Sequence, residues 1–96
     1  MSKLRIISAA EWEYTEALCW YAERSQRAAE RFDVEFDKAL EMIGADPRRF
    51  PLCDDRHRFY LLDRYPYQVI YREEADETVV IAVAHAKRRP RYWAGR

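Results

Sequence analysis

Only two cysteines, Cys19 and Cys53, occur in 96 residues, with no CxxC or other metal-ligand spacing around them. Neither a disulfide framework nor a metal centre is expected, and nothing calls for a cofactor. No apolar run approaches the ~20 residues that span a bilayer, and the start of the chain has no apolar signal core. A reducing cytoplasm without membrane contact is therefore the expected setting. Repeats, linkers and low-complexity tracts are missing as well. One domain over 1–96 is expected, large enough for a single modest core. Lysine is scarce, three against fourteen arginines, which favours planar, bidentate and stacking contacts over point charges.

What is present is apolar and aromatic residues, at 49% and 15% of the chain, enough for a folded protein. The net charge of zero hides an asymmetry. Residues 1–47 carry six Lys/Arg against ten Asp/Glu, and residues 48–96 carry eleven against seven, so the halves stand at −4 and +4. The second half is suited to an anionic partner, nucleic acid or acidic protein.

Taken in order, 3–7 (KLRII) predicts a strand. Ser8 and Glu11 match a capping box for a helix to about Arg24, with Ala10, Tyr14, Ala17, Leu18 and Tyr21 on one stripe. Trp12, Cys19 and Trp20 fall outside that stripe, either against a second helix or as a patch for a partner. Ser25 is placed to cap a second helix over 26–43, whose apolar residues Ala28, Ala29, Phe32, Phe36, Ala39, Leu40 and Ile43 share one face. Gly44 fits the residue after that helix, and Pro47 prevents its resumption. The loop 46–55 should tuck Phe50 against the core. Strands are predicted over 56–62 and 67–73, with a turn at Pro66 and alternation that sets Tyr67, Val69 and Tyr71 against Gln68, Ile70 and Arg72. The last strand begins the stretch 78–93, TVVIAVAHAKRRPRYW, in which a buried apolar run passes without a break into a cationic, aromatic segment. The fold class is thus α+β, order β-α-α-β-β-β, with a helical hairpin on one face of a small, mainly antiparallel sheet. The other face is expected to stay partly open, with the basic segment presented outward as a docking surface. The alternatives are a solvated basic tail, or Tyr92 and Trp93 folding back over the sheet as core.

The run from Trp20 through WYAERSQRAAERFDVEFDKALEMIGADPRRFPL, the strand YPYQVIYR, and the close VVIAVAHAKRRPRYW resemble the RelE/ParE superfamily of bacterial toxins over nearly the whole chain. The most specific parts are the aromatic end of helix 1, the loop 46–51, and His85, Arg88 and Pro90 in the His-x-x-Arg-x-Pro close. The resemblance implies a plasmid-stabilisation type toxin of a type II toxin–antitoxin system, held inactive in a hetero-oligomer by a cognate antitoxin. It implies one of two targets, DNA gyrase for ParE-like members or mRNA on the ribosome for RelE-like ones. An inactive relative that only binds antitoxin is a third reading.

Cleaving RNA requires a group to organise the 2′-hydroxyl, cations at the phosphate and an acid for the leaving oxygen. RelE-like toxins usually carry arginine where Gln68 stands, and a second one near Ala86. A lost contact of that kind costs ~3 kcal/mol of transition-state stabilisation, which favours the ParE-like reading of a toxin that binds rather than cuts. A nuclease would have to use Arg56 or Arg58 with His85, Arg88 and Tyr92. For binding the target, the candidates are Arg64, Tyr67, Gln68, His85, Lys87, Arg88, Arg89, Arg91, Tyr92 and Trp93. For the antitoxin they are Trp12, Trp20, Arg58 and Arg72. His57, between Arg56 and Arg58, is expected to be a solvated strand residue.

Overall fold

The computed structural model describes residues 3–96. The order is β1 (Lys3–Ile6), α1 (Ser8–Arg24), α2 (Gln26–Ala45), β2 (Arg58–Leu61), β3 (Tyr67–Glu74) and β4 (Glu77–His85). The strands form one sheet in the order β1-β4-β3-β2, with β1 parallel to β4 and the others antiparallel. The α+β class and the meander of the last three strands are as expected.

β1 runs straight into α1. The Ile7 amide donates to the Val80 carbonyl (3.1 Å) while the Ile7 carbonyl already accepts from Glu11 (3.0 Å). Strand pairing thereby occupies the residue before the helix, so Ser8 becomes the first helical residue and forms no capping box. Ser25 does cap α2: its hydroxyl oxygen accepts from the Ala28 amide at 3.2 Å. One non-helical residue separates the helices, which therefore pack antiparallel. Gly44 lies inside α2 rather than after it. The helix runs to Ala45, and the Asp46 amide still reaches Met42 before Pro47 ends the run.

The helical hairpin lies on one face of the sheet. Phe32, Phe36, Ala39 and Ile43 of α2 meet Val69, Tyr71, Val80 and Val83, with Ala10 and Ala17 of α1 in the same cluster and Phe50 packed at its edge. A second apolar cluster occupies the opposite face, where Ile70, Val79, Ile81, Ala82 and Ala84 are covered by Trp93. The sheet is therefore buried on both sides, and the expectation of a single core with an open face is corrected. The pattern of β4 carries the reason. Ile70 pairs with Ala82 but Tyr71 with Val80, so Ile81 is an extra residue in β4. Such a bulge breaks the alternation and places Ile81 and Ala82 together on the second face.

β2 is shorter than its apolar pattern. The Asp54 carboxylate accepts from the amides of Arg56 (2.8 Å) and His57 (2.6 Å), which withdraws both from the ladder and delays pairing until Arg58.

Candidate functional site: the cleft between helix 1 and the end of the sheet

The segment after β4 turns back across the sheet. Trp93 is 5% exposed, its ring edge-on to His57 with centroids 5.0 Å apart. His57 is buried rather than solvated, held by Asp54 at 2.9 Å on Nδ1 and by the Arg72 guanidinium at 3.3 Å on Nε2. Burial alone would raise the Asp54 carboxyl, but the amides of Arg56 and His57 and the His57 ring outweigh it and hold it at about 2.

The far end of the segment is fastened to Glu13, a charged residue buried in α1. Its Oε1 accepts from the Val83 amide (3.0 Å) and from Arg96 Nη1 (2.8 Å); its Oε2 accepts from the Tyr92 hydroxyl (2.5 Å) and from Arg96 Nη2 (3.2 Å). Arg96 also donates to the Ile81 carbonyl at 3.0 Å. β1 pairs with β4 only as far as Val80. Beyond that point the Val83 amide and the Ile81 carbonyl are met by a carboxylate and a guanidinium, two side chains standing where a neighbouring strand would continue. Burial and the adjoining Glu13 carboxylate push the Tyr92 phenol well above its usual range.

Several expectations are corrected by these contacts. Trp93 is interior and presents no ring to a target. Tyr92 is occupied by Glu13, and Arg91 by Asp54 at 3.2 Å. Arg72, with 11% of its side chain exposed, holds Glu74 (2.6 Å) and the Arg96 carbonyl (2.9 Å), so it braces the fold. Arg58 donates to the Phe50 carbonyl at 2.7 Å. Gln68 pairs with Ala84 on the face covered by the C-terminal segment. Within that segment the basic side chains with no ion pair among the described residues are Lys87 and Arg89, both exposed.

The set required of a nuclease does not converge. Arg58 stands opposite Tyr71 and His85 opposite Tyr67, about 13 Å apart along the strand direction at the usual rise per residue. Arg56 leans toward Glu74 at 4.0 Å, and the raised Tyr92 phenol is a poor proton donor near neutral pH.

What does converge is a cleft of about 440 Å³ between α1 and the end of the sheet, where Trp20, Tyr67, His85 and Arg88 meet Glu16 and Glu13. His85 accepts the Lys87 amide on Nδ1 at 3.0 Å, which leaves Nε2 as its second polar atom. Its ring lies edge-on to Tyr67, centroids 5.0 Å apart. Burial first, and Glu16 second, raise the Tyr67 phenol, partly offset by Arg88, so its hydroxyl stays a donor. Arg88 rests over the Tyr92 ring at 4.4 Å and 3.7 Å from Glu13, with half its side chain in solvent. Trp20, half-exposed with Arg24 stacked on it at 3.6 Å, joins this cleft to the outer face of α1, where Trp12 is 64% exposed beside Thr15, Glu16 and Cys19. Arg64 lies on the far side of the β2–β3 turn, in a separate depression.

Sequence reasoning missed Glu13, Asp54 and Arg96. Glu13 carried a signal: it falls three residues after Ala10 and four before Ala17, inside the apolar stripe, where a carboxylate must find partners.

Comparison with known proteins agrees with this architecture. Residues 5–90 match the family model described as the ParE toxin of the type II toxin-antitoxin system, parDE. Among solved structures, the chain is similar to one described as the chromosomal ParDE TA system from P. aeruginosa, with a TM-score of 0.78 at 13% identity, covering 91% of this chain and 98% of that one. No curated protein matches.

Proposed function

Since the chain belongs to the ParE toxin family of type II toxin–antitoxin systems, we propose that it is the toxin of such a pair and acts by binding its target rather than by cutting it. The observation that carries this reading is the cleft itself. Trp20, Tyr67, His85 and Arg88 offer an aromatic face, two hydrogen-bonding side chains and one half-solvated cation. That is a recognition set of the kind enriched at protein–protein hot spots, and it lacks converging cations for a phosphoryl transition state. Lys87 and Arg89 flank it. The target is DNA gyrase, which this family resemblance favours, and the toxin works in the cytoplasm. No helix among the described residues is long and apolar enough to cross a bilayer. A cognate antitoxin neutralises the toxin in a hetero-oligomer by covering the outer face of α1. There Trp12 and Trp20 lie exposed about two turns apart, aromatic anchors of the type that dominate interfaces.

The test is a gyrase supercoiling assay run beside a translation extract. Inhibited supercoiling with intact mRNA is the expected outcome. Codon-positioned cuts would replace it with a ribosome-dependent endonuclease, and silence in both assays with an inactive antitoxin-binding relative.

A further inference from the structure

The outer face of α1 carries more apolar surface than a helix facing only water needs. Trp12 is 64% exposed and Trp20 50%, and their backbone positions stand ~12 Å apart along the helix axis. Tryptophan is seldom left so open on a surface that meets nothing. Thr15 and Cys19 lie between the two indoles, in adjoining depressions of about 320 and 200 Å³ that share Trp12 and Thr15. The charge around them has one sign. Glu11, Glu16 and Glu23 line these depressions, and among the described residues no lysine or arginine does. The carboxylates of Glu11 and Glu16 have no hydrogen-bond or ion-pair partner among the described residues. Glu23 meets only Arg24, at 3.9 Å with both side chains more than half in solvent. Arg24 is committed elsewhere, since its guanidinium lies over the Trp20 ring and donates to the Trp20 carbonyl at 2.9 Å.

We propose that this face is a docking site for a basic amphipathic helix of a partner protein. An apolar side chain of that helix sits on Thr15 and Cys19 between the two indoles, and its cations meet Glu16 and Glu23, with Glu11 at the far end. Glu16 and Glu23 are two helical turns apart, so cations at the same spacing on a second helix packed alongside meet both. Guanidinium forks match carboxylates in bidentate geometry. A partner arginine also has the open Trp12 ring to stack on, as Arg24 already does on Trp20. The same carboxylates select against nucleic acid, an anionic lipid surface or an acidic segment, each of which would bring like charge to them. Because a partner over α1 is part of the proposed function, this docking chemistry rests on that reading and adds the sign of the partner's charge.

Fluorescence anisotropy on the full chain tests it, with a labelled helical peptide that carries arginines two turns apart beside a stripe of leucines. The same peptide with glutamates for arginines is the comparison. Saturable binding of the basic peptide is expected, weakening as salt is raised, with roughly tenfold loss for Trp12→Ala and an unchanged melting temperature. Glu11→Lys combined with Glu23→Lys is the decisive variant. It should reverse the preference toward the acidic peptide, which a purely apolar contact would not do. Neither residue lines the target cleft, so supercoiling inhibition, read in parallel, should match that of the unaltered chain. The proposal is overturned if the basic peptide fails to bind, if the acidic one binds the unaltered chain as well, or if the charge exchange leaves the preference as it was. Acidic-peptide binding that Trp12→Ala removes would overturn the basic partner and keep α1 as the covered face. Binding of neither peptide would remove the covered face as well, and loss of supercoiling inhibition by the unaltered chain bears on the target alone.

Discussion

At Glu13 a carboxylate removed from water accepts from one amide, one phenol and one guanidinium. Glu13→Ala would leave the Val83 amide and Arg96 without their acceptor. The stability loss should be about 3 kcal/mol, at the low end for a broken buried pair because Arg96 keeps a quarter of its side chain in solvent; urea unfolding monitored by tryptophan fluorescence measures it. Asp54 makes a different prediction, in pH. Its folded pKa of about 2 lies below the ~3.9 of an unfolded aspartate. The stabilisation is therefore full above pH ~4 and is lost as pH falls toward 2. Asp54→Asn should flatten that part of the stability–pH curve, and an unchanged acid limb would contradict the assignment. The apolar stripes of both helices and the two faces of β3 could be read directly from spacing, because period alone places a side chain inside or outside. Glu13, Asp54 and Arg96 could not be paired that way. The partners of Glu13 and Arg96, and the Arg91 partner of Asp54, are tens of residues distant, and a contact between Glu13 and Arg96 follows only once the sheet order has put both at the same edge of β4.

The element that departs most from its sequence pattern is the segment after β4. A run of Lys and Arg normally signals a solvated face, and here Arg91 and Arg96 are instead the means of holding it down, with Trp93 as the apolar anchor. The pattern of β4 contained the warning, since seven consecutive buried residues from Thr78 to Ala84 require cover on both faces and the two helices supply only one. Trp93→Ala should cost about 3–4 kcal/mol, within the range for large aromatic truncations. It should also expose Ile81 and Ala82 to a dye such as ANS; a variant with unchanged stability and no dye binding would show that the segment is dispensable cover. At the helical hairpin the expected change is smaller: Ser25→Ala removes the acceptor for the Ala28 amide and should lower stability by about 1 kcal/mol.

Over the whole molecule the acidic first half and the basic second half are joined by long-range pairs, Glu13 with Arg96 and with Arg88. The charge separation along the chain is therefore partly cancelled in the fold. Lys87, Arg89, Arg27, Arg31 and Arg64 have no ion pair among the described residues. For the target cleft, Tyr67→Phe, His85→Ala and Arg88→Ala should each reduce growth inhibition on expression, with little change in thermal stability for the exposed Arg88. Restored growth with a collapsed melting temperature would instead mark the residue as structural.

The clamp between Glu13 and Arg96 has a temporal side. Its two halves are 83 positions apart, so a chain leaving the ribosome holds α1 ready long before the arginine that will close over it. Contacts of such separation tend to form late, after the loop-closure cost has been met. Removing the carboxylate should accordingly quicken unfolding and leave the refolding rate nearly unchanged. Until residues 88–96 emerge, the nascent protein has an unsealed strand edge and a bare second face.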